Sequence, residues 1–221
     1  MDGSTTARKA IDRRRVVLSA LFSLCPFAGC STASPKGGFF GLQTKRVMYL
    51  KPRHAPGLEV NVSAWAAGAS AANVSSAIAR INAGLGPWSE HVVDQFSNAL
   101  IGALREHGFD IDTVPENTPL YGASIRSYLT AGFVYKTYTS PTFAPFVEVV
   151  LGASASGGAF YRQLYVATDR PFNFFMSNLP ASTSYQLRDI DALQSESGSA
   201  LEALALLAAQ LGRKFASDLL G

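Results

Sequence analysis

From Arg46 onward, apolar and polar positions alternate over short stretches and then switch to a helical period. Arg46-Val47-Met48-Tyr49-Leu50 reads as a short strand that stops before Pro52. Leu58, Val60, Val62 and Ala64 alternate with Glu59, Asn61 and Ser63, the period-two pattern of a half-buried strand. The small, Ala-rich stretch that follows predicts a weak helix around Ala71–Ile81, closed by Gly84. A stronger helix is predicted over Pro87–His107. Val92, Phe96, Leu100 and Leu104 recur every four residues there, Pro87 suits the first turn and Gly108 the stop. An antiparallel meander comes next, with strands at about 122–138, 145–153 and 159–168 and a turn at Ser156-Gly157-Gly158. Residues 171–193 show no period and read as an irregular insertion. A last helix is expected to open at the capping box Ser199-Ala200-Leu201-Glu202 and to bury Leu201, Leu204, Ala208, Leu211 and Phe215. Few helices among runs of strands predict an α+β fold of two layers, a mostly antiparallel sheet with helices packed on one face.

The first 29 residues follow a different logic. A cationic stretch ends in Arg13-Arg14-Arg15, an apolar run follows from Val16 to Leu24, and small residues precede a cysteine in Phe27-Ala28-Gly29-Cys30. This order is that of a secretion signal. The apolar run, roughly 14 residues including Pro26, is shorter than the about 20 that a spanning helix needs.

Phe27-Ala28-Gly29-Cys30 resembles the bacterial lipobox, with Phe27 standing where that pattern prefers Leu. The resemblance implies cleavage between Gly29 and Cys30, a diacylglycerol on the Cys30 sulfur and an acyl group on the new amine. Several acyl chains hold where one would be marginal. Ser31 follows the cysteine, and a residue other than Asp there implies sorting to the outer membrane, with the inner membrane as the alternative. Residues 30–45, rich in Ser, Gly and Pro, read as a flexible tether. Residues 46–221 then form a single domain.

Charge and cysteine content sharpen this picture. Five of the 19 basic and two of the 16 acidic residues lie within residues 1–29, which leaves 14 of each in the remainder. A formally neutral domain without a basic stripe predicts no nucleic-acid partner. The two cysteines are Cys25, inside the signal, and Cys30, so the mature chain is expected to carry neither free thiol nor disulfide.

Several stretches together resemble small envelope lipoproteins of the YajG type and, more loosely, auxiliary lipoproteins of the LptE and PqiC kind. They are Gly57-Leu58-Glu59-Val60-Asn61-Val62-Ser63, the helix end Leu104-Arg105-Glu106-His107-Gly108-Phe109, the aromatic meander and the Ala/Leu-rich last helix. The resemblance implies a non-catalytic accessory role beside an envelope protein, and it carries over no functional residue beyond the lipidated cysteine.

Candidate chemistry is sparse. His91 and His107 are 16 residues apart on one predicted helix, about 24 Å, and no His, Cys or Asp cluster has ligand spacing. No metal and no cofactor are therefore expected. No Gly-x-Ser-x-Gly elbow is present. Gly152–Gly158 lacks the Lys and the following helix of a phosphate loop, so it reads as a hairpin turn. Asp110 with Asp112, and Asp189 with Asp191, read as solvated edges. No catalytic residue is expected, and the chain is read as a non-enzyme. The apolar knot Phe172, Phe174, Phe175 and Met176 is a partner or membrane contact if exposed, and otherwise covers the sheet. Phe39 and Phe40 either dip into the bilayer interface or start the core. Tyr121, Tyr128, Phe133, Tyr135, Tyr138, Phe143 and Phe146 either form an ordinary core or line an apolar-ligand cleft between sheet and helices.

Overall fold

In the computed structural model the described residues are 38–40, 45–62, 71–136, 142–168, 177–180, 185–186 and 193–221. Gly29, Cys30, Phe172, Phe174, Phe175, Met176, Tyr138, Asp189 and Asp191 lie outside them. The fold is α+β, with one mixed sheet and helices on its inner face.

Arg46–Leu50 (β1), Arg53–His54 (β2) and Glu59–Val62 (β3) follow one another along the same edge of the long strand Ser124–Lys136 (β5). They amount to one strand broken twice, and the breaks fall at Pro52 and Pro56, which lack the N–H that a ladder needs. At Gly132 the β3 backbone comes so near to β5 that a Cβ would collide with the Glu59 carbonyl. Asn82 ties the start of β3 to the first helix, Ala71–Leu85 (α1). Its Oδ1 accepts from the Leu58 N–H at 2.7 Å, and its Nδ2 donates to the Leu58 carbonyl at 3.0 Å.

The second helix, Trp88–Glu106 (α2), buries the predicted stripe through Val92, Phe96, Leu100 and Leu104. It ends in a Schellman motif. The Gly108 N–H reaches the Arg105 carbonyl at 2.9 Å, the Phe109 N–H reaches Leu104 at 3.2 Å, and Gly108 takes φ +84°. The chain then enters the edge strand Asp110–Val114 (β4), parallel to β1.

The meander is β5, Thr142–Ser154 (β6) and Phe160–Thr168 (β7), with Gly158 at φ +83° in the expected turn. Its two antiparallel pairings are the longest in the sheet. The flanks are parallel: β1, β2 and β3 to β5, and Ser177–Pro180 (β8) to β7. Among the described strands, β6 alone runs against the rest. The reason is connectivity, because β1 to β3 return to β5 through α1, α2 and β4 rather than through a hairpin.

Four expectations need correction. Residues 171–193 are not wholly irregular, since β8 lies among them and adds a sheet edge. The last helix, Leu193–Leu220 (α3), opens six residues before the Ser199 capping box. Glu196 supplies a carboxylate to its first turn and accepts from the Tyr185 hydroxyl at 3.2 Å. Helix α1 runs past Gly84, and the turn that follows places Gly86 at φ +57°. Residues 38–40 of the supposed flexible tether are docked: Phe40 is buried, and the Phe39 N–H donates to the Leu219 carbonyl at 2.6 Å. Gly38, at φ +75°, passes so close to that carbonyl that a Cβ would lie 2.6 Å from it. Phe39 and Phe40 thus start the core.

One apolar core fills the space between the sheet's inner face and the helices. Val47, Tyr49, Ile125, Leu129, Phe133, Val147 and Val149 meet Phe96, Leu100, Leu204, Leu211 and Phe215 there. The Tyr49 hydroxyl is tied to Ser97 Oγ at 2.8 Å, and burial pushes its ionisation far up, so it stays a neutral hydrogen-bonding group. Helices α2 and α3 cross at Gly212, where a Cβ would lie 2.6 Å from the Phe96 carbonyl. No helix among the described residues is long and apolar enough to cross a membrane.

Two glycine substitutions should move stability in opposite directions. Around Gly102, within α2, a Cβ meets nothing, so Gly102→Ala should stabilise by about 0.5–1 kcal/mol through helix propensity alone. The same propensity gain at Gly212 is outweighed by forcing two helix backbones apart. Gly212→Ala should therefore destabilise by roughly 1–3 kcal/mol. Urea melts of the two variants and the parent check the signs.

Candidate functional site

The sheet's outer face, opposite the helices, is closed at one end and open at the other. At the closed end Val134, Ala144, Phe146, Val166 and Thr168 are buried. At the open end Tyr128 is 43% and Phe160 63% exposed. Between them lies a groove of about 610 Å³, floored by β5, β6 and β7 and rimmed by Lys51, Arg53, Glu116, Leu120 and Gly122. Tyr121, beside that rim, is 81% exposed.

Strand register builds the floor. Arg126 on β5 pairs with Gly152 on β6, and Gly152 pairs with Arg162 on β7. The residues pointing outward therefore form a row of arginine, glycine and arginine, with roughly 9–10 Å between the two outer Cα atoms at two strand spacings. One row toward the β6–β7 turn stand Ser124, Ser154 and Phe160. One row the other way stand Tyr128, Val150 and Leu164, with Arg53 of β2 beside Tyr128. Arg53 pairs with Glu116, and Lys51 lies 2.9 Å from Asp94. Arg126 is exposed and has no ion pair among the described residues.

Further along the same face sit two carboxyls. Burial pushes Glu148 above the usual glutamate range, and the neighbouring Glu59 charge adds to the rise. Burial also raises Glu59 itself. The outer face therefore has a cationic open end and an acidic region toward its closed end.

Besides the Tyr49–Ser97 pair, the inner face carries a polar cluster at the end of α3. Tyr165 donates to Asp218 at 2.8 Å and is hydrogen-bonded to Tyr161, while Lys214 pairs with Asp218 one turn away on α3. Burial and these bonds push the Tyr165 phenol far up, so it remains a protonated donor. The cluster ties the end of α3 to β7.

The sequence-singled polar residues do not converge. His54 lies edge-on against Trp88 with ring centroids 5.8 Å apart, His91 Nε2 is 3.2 Å from Glu202 on α3, and His107 Nδ1 is 2.9 Å from the Ala103 carbonyl. Among the described residues no three His, Cys, Asp or Glu side chains are grouped to hold a metal ion. Asp112 pairs with Arg46 at 2.8 Å on the β4 edge, and Asp110 is exposed beside it. Of the aromatic set, Phe133 and Phe143 join the core, Phe146 is buried on the outer face, and Tyr121 and Tyr128 stand open around the groove. Sequence reasoning missed Arg126 and Arg162. Alternation puts Arg126 opposite Ile125 and Arg162 opposite Tyr161, but only the register of two hairpins sets them either side of Gly152.

No protein-family model matches the chain, and no curated protein sequence does either. Among solved structures it is similar to a minor lipoprotein from Acinetobacter baumannii at 8% identity and TM-score 0.42, covering 79% of this chain and 90% of that one. It is also similar to a protein described as a neuraminyllactose-binding hemagglutinin homolog from Helicobacter pylori, at 8% identity and TM-score 0.37. That overlap covers 82% of this chain and 91% of the other. Likeness at this level assigns no function.

A pH test follows from Glu148. Its folded-state pKa lies above the ordinary value of 4.5, so the native state holds a proton that the unfolded chain has released. This contribution to stability is present at low pH and is lost as pH rises through the raised value. Glu148→Gln removes the penalty while keeping the shape. The variant should melt above the parent at pH 8, with the gap closing by pH 4, when thermal unfolding is followed across that range.

Proposed function

We propose that the chain is a lipid-anchored protein of the bacterial envelope, cleaved between Gly29 and Cys30. It acts without catalysis as an accessory that binds through the open end of its outer sheet face. The observation that carries this reading is the contrast between the two faces. The inner face is filled by Tyr49, Phe96, Leu129, Phe133 and Phe215, whereas the outer face keeps a groove of about 610 Å³. That filling leaves an apolar ligand between sheet and helices little room. Among the described lining residues the groove has arginines and hydroxyls but no nucleophile paired with a base, an arrangement suited to recognition.

The anchor rests on residues 13–30, and Ser31 after the cysteine supports the outer membrane, facing the periplasm, over the inner membrane. The element order that resembles YajG-type lipoproteins supports the same accessory role beside an envelope protein. An anchored domain meets its partner at raised local concentration, so modest affinity suffices.

Intact-mass and peptide mass spectrometry of the protein isolated from envelopes tests the anchor. The mature chain should begin at Cys30 with three acyl chains. Cys30→Ala should abolish the modification and release the protein from the membrane fraction after a salt wash. A mature chain starting elsewhere, without lipid, would overturn the reading.

A further inference from the structure

We infer that the groove on the outer sheet face takes an acidic, proline-rich segment of a partner protein, laid across Tyr121, Tyr128 and Phe160 with a carboxylate on Arg126. The inference rests on the reading of this face as the docking surface and names what docks there. Four exposed side chains around the groove hold recognition groups that the fold leaves unused. Among the described residues Arg126 has no ion pair, and Tyr121, Tyr128 and Phe160 have no ring partner.

Strand register gathers the four. Arg126 and Tyr128 are two residues apart on β5 and project to the same side, about 7 Å from one another. The Phe160 ring leans across the sheet, and its Cζ lies 3.6 Å from where a Cβ on Gly152 would stand. Gly152 is the partner of Arg126 on β6, so the ring comes within about one strand spacing, roughly 5 Å, of the Arg126 backbone. Tyr121 stands at the turn before β5, where Gly122 takes φ +85°.

The chemistry of the set points to a protein segment of negative charge. Aromatic residues and arginine concentrate at the centres of protein interfaces, inside a polar rim that keeps water out. Here the ion pairs Arg53–Glu116 and Lys51–Asp94 supply the rim, and each is neutral as a pair. Arg126 is then left to set the sign of what docks, which must be acidic.

The backbone selects the mode of docking. Strands β5 and β6, which floor the groove, each have a neighbour on both sides, so no further strand can be added between them. A docking helix would need an apolar stripe to bury, and Arg126 interrupts the floor where that stripe would lie. A polyproline II segment meets neither obstacle. It asks nothing of the sheet's hydrogen bonds, it is recognised by aromatic-lined grooves, and its stiffness keeps the entropy lost on docking small.

Calorimetry on the full protein in dodecyl maltoside micelles tests the inference with three blocked decapeptides. The first has eight prolines and two glutamates. The second has lysine in place of both glutamates, and the third has glycine in place of all prolines. The first should bind at least about tenfold more tightly than either of the others. Arg126→Glu should reverse the charge preference, so that the lysine peptide becomes the tighter ligand. Tyr128→Ser combined with Phe160→Ser should cost the first peptide about tenfold or more. Arg213→Glu, the same charge change on the exposed surface of α3, should leave all three affinities unchanged. No binding of the first peptide, equal binding of any two, or an unaltered preference in Arg126→Glu would overturn the inference.

A benzophenone amino acid in place of Tyr121 separates this inference from the docking face itself. Irradiated in intact envelopes, it should join to a protein segment that contains proline and an acidic residue. An adduct with a segment of other composition would overturn the inference and leave the face as the docking surface. Absence of any protein adduct would overturn both.

Discussion

The close crossing of α2 and α3 at Gly212 is the constraint on which the rest of the arrangement depends. Glycine in a helix interior costs about 1 kcal/mol relative to alanine, and here the loss admits the backbone of Phe96 and Leu100 into direct contact. With the helices this near, Phe96, Leu100, Leu204, Leu211 and Phe215 form one apolar surface rather than two ridges with a gap. That surface covers the inner face of the meander with packed side chains. On the opposite face strand register alone decides which side chains meet.

The outer face gains its asymmetry from the broken first strand. Pro52 and Pro56 divide residues 46–62 into three short pieces along β5. The piece at Arg53 brings a cation to the groove, while the piece at Glu59 brings a carboxyl beside Glu148. One sheet face therefore runs from positive to acidic without any helix dipole or metal. The glycines of this face do different things. Gly132 lets one backbone approach another, and Gly152 lets the Phe160 ring of the neighbouring strand lie over the sheet.

Much of the fold was legible because several elements carry local signals. Helix α2 shows an apolar stripe and a glycine stop, and the meander shows alternation around a Ser-Gly-Gly turn. Elements defined by distant partners were not legible. Strand β8, Ser-Asn-Leu-Pro, has no alternation, and only its pairing with β7 makes it a strand. The early start of α3 brings Glu196 within reach of Tyr185, a contact between positions that no local pattern couples. The groove follows the same division. Alternation assigns Arg126 and Arg162 to the outer face one strand at a time. Their shared row emerges only when both hairpins close in register.

The pinned leader has a mechanical consequence. Gly38–Phe40 acts as a clasp on the last turn of α3, held by one hydrogen bond to Leu219 and by two phenylalanine rings, one of which rests on Tyr161 of β7. A pull on the chain at Gly38 would load the end of α3 and the start of β7 together, so the final helix and the sheet resist it as one body.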